Sequence, residues 1–106
     1  MNSLVGKRWG HCGRGPEHYD CWGVVVAVAQ ALGRDMDPKH WREVPAADAE
    51  PGDVVLLWSG GPLRHSGVMT QWGLLHVFPR SGVIISPLST LACGGIRPEK
   101  VYRWAP

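Results

Sequence analysis

Cys21 stands in the segment Tyr19-Asp20-Cys21-Trp22-Gly23, where an acid and a thiol meet the start of an apolar run. If that run is a helix, the sulfur lies beside first-turn N–H groups that have no intrahelical partner. Their partial positive charge favours thiolate over thiol. The thiolate is the nucleophilic form, so residue type and position together point to covalent catalysis. Two histidines in strand-like surroundings supply the rest: His65 in Leu63-Arg64-His65-Ser66-Gly67-Val68-Met69, and His76 in Leu74-Leu75-His76-Val77. In such a set His65 takes the thiol proton and later donates one to a leaving amine, while His76 fixes its tautomer and ring orientation. The backbone N–H of Cys21 or Trp22 is placed to donate to the oxyanion that forms. The chemistry is acyl transfer from an amide.

These residues need a helix and a sheet to hold them. From Cys21 to Leu32 the chain is apolar almost all round, bounded by Asp20 as N-cap and Gly33 as C-terminal stop, which predicts a buried helix. Local propensity is divided, since Val24-Val25-Val26 prefers a strand while Ala27, Ala29, Gln30, Ala31 and Leu32 pull towards helix. Gly6 to His18, with Gly10, Gly13, Gly15 and Pro16, reads as a loop that shapes a cleft wall. Asp37-Pro38-Lys39-His40-Trp41 reads as a short helical turn. Pro51-Gly52-Asp53 is a turn feeding Val54 to Trp58, a strand buried on both faces, with which the sheet begins. Ser66 to Gln71, Leu74 to Phe78, Gly82 to Ser86 and Val101 to Trp104 give further strands. With no internal repeat, low-complexity tract or second domain, residues 1–106 read as one α+β domain.

A hairpin centred between Thr70 and Gln71 would set His65 directly opposite His76, with Cβ atoms about 5 Å apart. A two-residue loop at Gln71-Trp72 or Trp72-Gly73 makes the pair diagonal or more distant, yet leaves both on one face. Only an odd-length connection separates them. Packing the helix on that face brings the thiol towards His65.

Composition narrows the function. A chain of 106 residues can bury about two thirds of its unfolded surface and needs no staples. The formal net charge of +2 is too small for a nucleic-acid surface, although Lys7, Arg8 and Arg14 bias the N-terminal segment. Cys12, Cys21 and Cys93 form no disulfide framework, which suits synthesis in a reducing compartment. The longest apolar stretch, Val24 to Ala29, is too short to span a bilayer, and no export signal is legible. Six tryptophans could furnish a carbohydrate- or peptide-binding cleft, though core packing accounts for most of them.

Taken together, Gly6-Lys7-Arg8-Trp9, Tyr19-Asp20-Cys21-Trp22-Gly23-Val24-Val25, Pro51-Gly52-Asp53-Val54-Val55, His65-Ser66-Gly67-Val68 and Leu75-His76 resemble the NlpC-type cell-wall peptidases, papain-like enzymes of bacteria and phages. Asp-Cys-Trp-Gly in place of Asp-Cys-Ser-Gly is similar to the phage-tail and prophage branch. The resemblance spans nearly the whole chain. It implies a papain-like fold whose central helix bears the nucleophile and packs on an antiparallel sheet bearing the histidines. It also implies a cysteine endopeptidase that cuts peptidoglycan stem peptides, commonly between γ-D-glutamyl and a diamino acid, with no metal or organic cofactor and no membrane insertion. By position Cys21 would be the nucleophile, His65 the base and His76 the orienting residue. Asp20 would help bind the substrate's free amine, and Trp9 would line the cleft where the family often has a tyrosine. Trp22 would pack beside the cleft. Made without an export signal in the bacterial cytoplasm, such a protein would reach the wall from a phage tail or after delivery.

Other readings compete. His11, Cys12, His18 and Cys21 are soft and borderline zinc ligands, but their spacing matches no common finger or ribbon. An amidase of related fold would cut the sugar–peptide junction. A non-catalytic domain would serve as a tail or envelope-binding module.

Overall fold

Helix α1 (Cys21–Leu32) begins and ends where its caps dictate. The Asp20 carboxylate accepts the Gly23 N–H at 2.6 Å, satisfying a first-turn donor. Gly33 adopts a left-handed conformation (φ 64°), and the next N–H, that of Arg34, returns to the Ala29 carbonyl at 2.8 Å. Val24, Val25 and Val28 are almost wholly buried, so tertiary burial overrides the strand preference of the valine triplet.

The computed structural model describes residues 2–10, 13–15, 17–34, 37–58, 60 and 64–104. Around α1 lie β1 (Arg8–Trp9), β2 (His18–Tyr19), β3 (Trp41–Val44), β4 (Val54–Trp58), β5 (Arg64–Thr70), β6 (Gly73–Phe78), β7 (Gly82–Ser86), a short helix α2 (Leu88–Cys93) and β8 (Arg97–Trp104). Strands β3 to β8 form a six-stranded antiparallel sheet in the order β3-β8-β4-β5-β6-β7. This is the α+β arrangement expected, one helix packed on an antiparallel sheet.

Successive residues of the central strands feed two apolar clusters. Val54, Val68, Leu75, Val77 and Val83 pack with α1 through Val24, Val25 and Val28, and Tyr19 and Trp104 complete this cluster. Val55, Leu57, Leu74 and Val101 join Leu91 of α2 in the second, with Phe78 and Met69 against it. Val54 to Leu57 therefore serves both clusters, as its unbroken apolar sequence requires. The Pro51-Gly52-Asp53 turn is anchored by Asp53, which is 2% exposed. Its carboxylate accepts from Arg103 Nε at 3.0 Å and Nη2 at 2.9 Å and from the Glu50 N–H at 2.8 Å, tying β4 to β8.

Several elements differ from expectation. The glycine-rich approach holds two short strands, β1 and β2, paired in parallel as Arg8↔His18 and Trp9↔Tyr19, and two residues are too few to show a period. Trp41 opens a strand instead of closing the helical turn, which covers Pro38–His40. Strand β8 starts at Arg97, before Pro98, where the β4–β8 register shifts between Leu56 and Leu57 and accommodates a proline within the pairing. Of the six tryptophans, Trp9, Trp58 and Trp72 are exposed, so core packing claims only half. Ahead of β1, the Gly6 N–H donates to the Val83 carbonyl at 2.9 Å and the Val83 N–H to the Lys7 carbonyl at 2.8 Å, laying the N-terminal segment along β7. Among the described residues no helix is long and apolar enough to cross a membrane.

Candidate active site

The hairpin of β5 and β6 turns at Gln71-Trp72, with pairs Thr70↔Gly73, Met69↔Leu74 and Val68↔Leu75. The Thr70 hydroxyl fixes this turn by donating to the Gly73 carbonyl at 2.8 Å and accepting the Trp72 N–H at 3.1 Å. A two-residue loop makes the histidines diagonal, not directly opposite. Beyond Val68↔Leu75 the strands no longer pair as a ladder, and aromatic rings meet across them. His65 stacks on Phe78 with centroids 5.1 Å apart and planes at 10°. His76 stands edge-on to both, at 5.1 Å from His65 and 4.7 Å from Phe78. Gly67 permits the approach: a Cβ there would lie 2.5 Å from the Leu75 carbonyl oxygen and 2.9 Å from the Leu74 side chain.

Within this cluster His65 Nε2 lies 3.0 Å from His76 Nδ1, and His76 Nε2 lies 2.8 Å from Ser86 Oγ. His76 is wholly buried. Desolvation, and then the neighbouring His65, push its pKa down to about 4, and burial also lowers that of His65. Both rings are therefore chiefly neutral at pH 7, each with one N–H. In one proton arrangement His65 Nε2–H donates to His76 Nδ1 and His76 Nε2–H donates to Ser86 Oγ, leaving His65 Nδ1 as a free acceptor. In the reverse arrangement Ser86 donates inward and His65 Nδ1 carries the proton. Only the first survives protonation of His65, because an imidazolium presents N–H at both nitrogens and needs His76 Nδ1 as acceptor. The low pKa of His76 keeps that acceptor available.

Cys21 is the first residue of α1, half-buried against the helix-side cluster. The Gly23 N–H is taken by the Asp20 side chain and the Val24 N–H by the Asp20 carbonyl at 3.2 Å. Neither bond uses the N–H of Cys21 or Trp22, the two donors nearest the sulfur. The structure thus brings His65 and His76 together, but among the described residues it makes no hydrogen bond from the Cys21 thiol to either. Contacts between nucleophile and base commonly tighten only with substrate bound.

Asp20 has a partner that the sequence did not suggest: Arg14 Nη1 lies 2.6 Å from the same Oδ1 that caps the helix. A substrate amine at Asp20 would share the carboxylate with that guanidinium. Trp9 is 38% exposed and pairs across to Tyr19, two residues from Cys21, so it stands beside the start of α1. Trp22 is half-buried with its ring 6.2 Å from that of Trp41, a packing position. Ser86 and Phe78 went unforeseen. The His76, Phe78 spacing of two on one strand signals a shared face, whereas nothing local marks Ser86. Cys93 is free and exposed. No group of three or more potential ligands capable of holding a metal occurs among the described residues, and His11 and Cys12 of the competing zinc set lie outside them.

Scans against protein-family models and against curated proteins returned no match. Among solved structures the chain is similar to the NlpC/p60 domain of the peptidoglycan hydrolase SagA, with a TM-score of 0.75 and 20% identity, over 96% of this chain and 91% of that one. At that identity the likeness speaks to architecture, and the fold of this chain is the papain-like one of NlpC/p60 domains.

Proposed function

We propose that this protein is a cysteine peptidase of the bacterial cell wall, hydrolysing peptidoglycan stem peptides with Cys21 as nucleophile, His65 as base and His76 as orienting residue. The observation that carries the reading is the His65–His76–Ser86 chain, which in one of its two proton arrangements leaves His65 Nδ1 free to accept a proton, in a fold that also sets a cysteine at a capped helix N-terminus. The structural neighbour is by its name a peptidoglycan hydrolase, which supports the substrate class.

In this mechanism the thiol proton passes to His65 Nδ1 and Sγ attacks the scissile carbonyl carbon. The oxyanion takes a hydrogen bond from the first-turn N–H of Cys21 or Trp22. Collapse of the tetrahedral intermediate breaks the C–N bond as His65 protonates the leaving amine. Water, deprotonated by His65, then hydrolyses the thioester. No metal or organic cofactor enters. The bond is that between γ-D-glutamyl and the diamino acid, and the protein acts at the wall from a phage tail or after delivery. The bond follows the NlpC-type resemblance as a whole, and the phage tail follows Asp-Cys-Trp-Gly.

Digestion of purified peptidoglycan by wild type and by Cys21→Ala, with mass analysis of the fragments, tests the reading. New D-glutamyl C-termini with wild type only are the expected result. Intact stem peptides freed from glycan would assign an amidase instead, and binding without cleavage by either protein would leave an envelope-binding module.

A further inference from the structure

The carboxylate that precedes the nucleophile already has a counter-ion. Arg14 Nη1 lies 2.6 Å from Asp20 Oδ1, the oxygen that also takes the Gly23 N–H, and the same nitrogen donates to the Gly13 carbonyl at 3.1 Å. The Arg14 side chain is 49% exposed and that of Asp20 22%, so the cation is the member of the pair more open to solvent.

The loop that carries Arg14 is fixed against the first turn of α1. Arg14 forms an antiparallel bridge with Tyr19, the Gly15 N–H donates to the His18 carbonyl at 2.7 Å, and the Asp20 N–H donates to the Gly13 carbonyl at 3.1 Å. A Cβ at Gly23 would run into that same Gly13 carbonyl, so the loop backbone touches the helical turn that begins at Cys21. Backbone pairing sets where the Arg14 side chain starts, and the two bonds of Nη1 set where it ends.

These charges decide what the corner can accept. The NlpC-type resemblance assigns to Asp20 a free amine of the substrate, carried by the residue before γ-D-glutamyl. An ammonium arriving there is attracted by Asp20 and repelled by Arg14 from points 2.6 Å apart, so the two Coulomb contributions largely cancel and its lost hydration is not offset. In intact peptidoglycan the same nitrogen is an amide at the sugar–peptide junction. It carries no charge, and becomes an ammonium only after an amidase has cut that junction.

We infer that Arg14 is a specificity-determining residue: by neutralising Asp20 it removes any requirement for a free amine and directs the enzyme to stem peptides still joined to glycan. The reaction then precedes amidase cleavage and does not depend on it. This rests on the peptidase reading of Cys21, His65 and His76.

The test is a competition between two synthetic tripeptides, L-alanyl-γ-D-glutamyl-diaminopimelate with a free and with an acetylated amino terminus, mixed in one reaction. The ratio of their cleavage rates is the ratio of kcat/KM, which does not change with the folded fraction of a variant. Wild type should cleave the acetylated peptide at least as fast as the free one. Arg14→Gln, a substitution of an exposed residue, should move the ratio about tenfold or more towards the free amine. Lys100→Gln, which removes an exposed cation paired with Glu43 on the sheet, should keep the wild-type ratio. A wild-type preference for the free amine, an unchanged ratio in Arg14→Gln, or an equal change in Lys100→Gln overturns the inference and leaves the peptidase standing. Wild type that cleaves neither tripeptide nor peptidoglycan removes the peptidase reading, and the inference with it.

Discussion

His76 Nδ1 lies 3.0 Å from His65 Nε2, and this contact makes one imidazole the environment of the other. The buried ring is held neutral, so its Nδ1 can accept the hydrogen bond of a protonated His65 and it does not compete for that proton. In the proposed mechanism the division of labour follows from burial, since two chemically identical groups would become orienter and base by their exposure to solvent.

Ser86 closes that chain, and Ser86→Ala should release it. The substitution leaves a buried nitrogen of His76 without its partner, at a cost of about 1–3 kcal/mol in stability. It also removes the hydrogen bond that selects the tautomer. Activity on wall peptides should fall about tenfold through kcat with KM little changed, a positioning effect. ¹⁵N shifts of the His76 ring distinguish this from a packing role: a tautomer mixture is expected in the variant, and a single unchanged tautomer would count against it.

Acid should destabilise the protein through His76. Its folded pKa of about 4 lies below the ordinary 6.5, so between those values the unfolded chain binds the proton and the folded one does not. Stability is therefore complete above pH 6.5, falls as pH drops towards 4, and levels off below. The integrated loss is about 3 kcal/mol, and His65 adds to it with the same sign. Urea midpoints at pH 7 and 4.5 check this, and His76→Gln should flatten most of the difference. Equal pH dependence in both proteins would contradict the assignment.

Alkylation by iodoacetamide reports on the base without a substrate. In the proposed mechanism His65→Ala slows modification of Cys21 at neutral pH by about tenfold or more. Exposed Cys93, resolved from Cys21 by peptide mass, should react at an unchanged rate. If both cysteines respond alike, His65 is not acting on Cys21.

Removing Arg103 strands a charge. Arg103→Met leaves the Asp53 carboxylate buried without its counter-ion, and a lower midpoint of denaturant unfolding is expected. Adding Asp53→Asn should recover part of that loss. A double variant no better than the single one would show that the Glu50 N–H contact, not the ion pair, holds the turn.

Much of this site is written locally. Asp20 and Gly33 bracket α1 by cap chemistry, and the even number of residues between strand positions keeps His65 and His76 on one face whichever two-residue turn forms. What the chain does not display is long-range pairing. Trp41 pairs with Trp104 and Arg42 with Arg103 across most of the sequence, so β3 and the first half of β8 carry no local pattern that demands them. Ser86 is a partner of His76 only because β7 runs beside β6, where Leu74↔Ser86 is a register pair. The Arg14–Asp20 contact likewise depends on how a glycine-rich loop folds back, which propensity does not encode.

The two hydrogen bonds that bind Gly6 and Lys7 to Val83 have a consequence for solubility. Strand β7 is one margin of the sheet, and an uncovered margin presents a row of unpaired amides and carbonyls that can template pairing with another molecule. The segment before β1 occupies part of that row, while the opposite margin, β3, carries Arg42 and Glu43, charges that discourage such pairing. Gly6 and Lys7 thus help guard this margin against self-association.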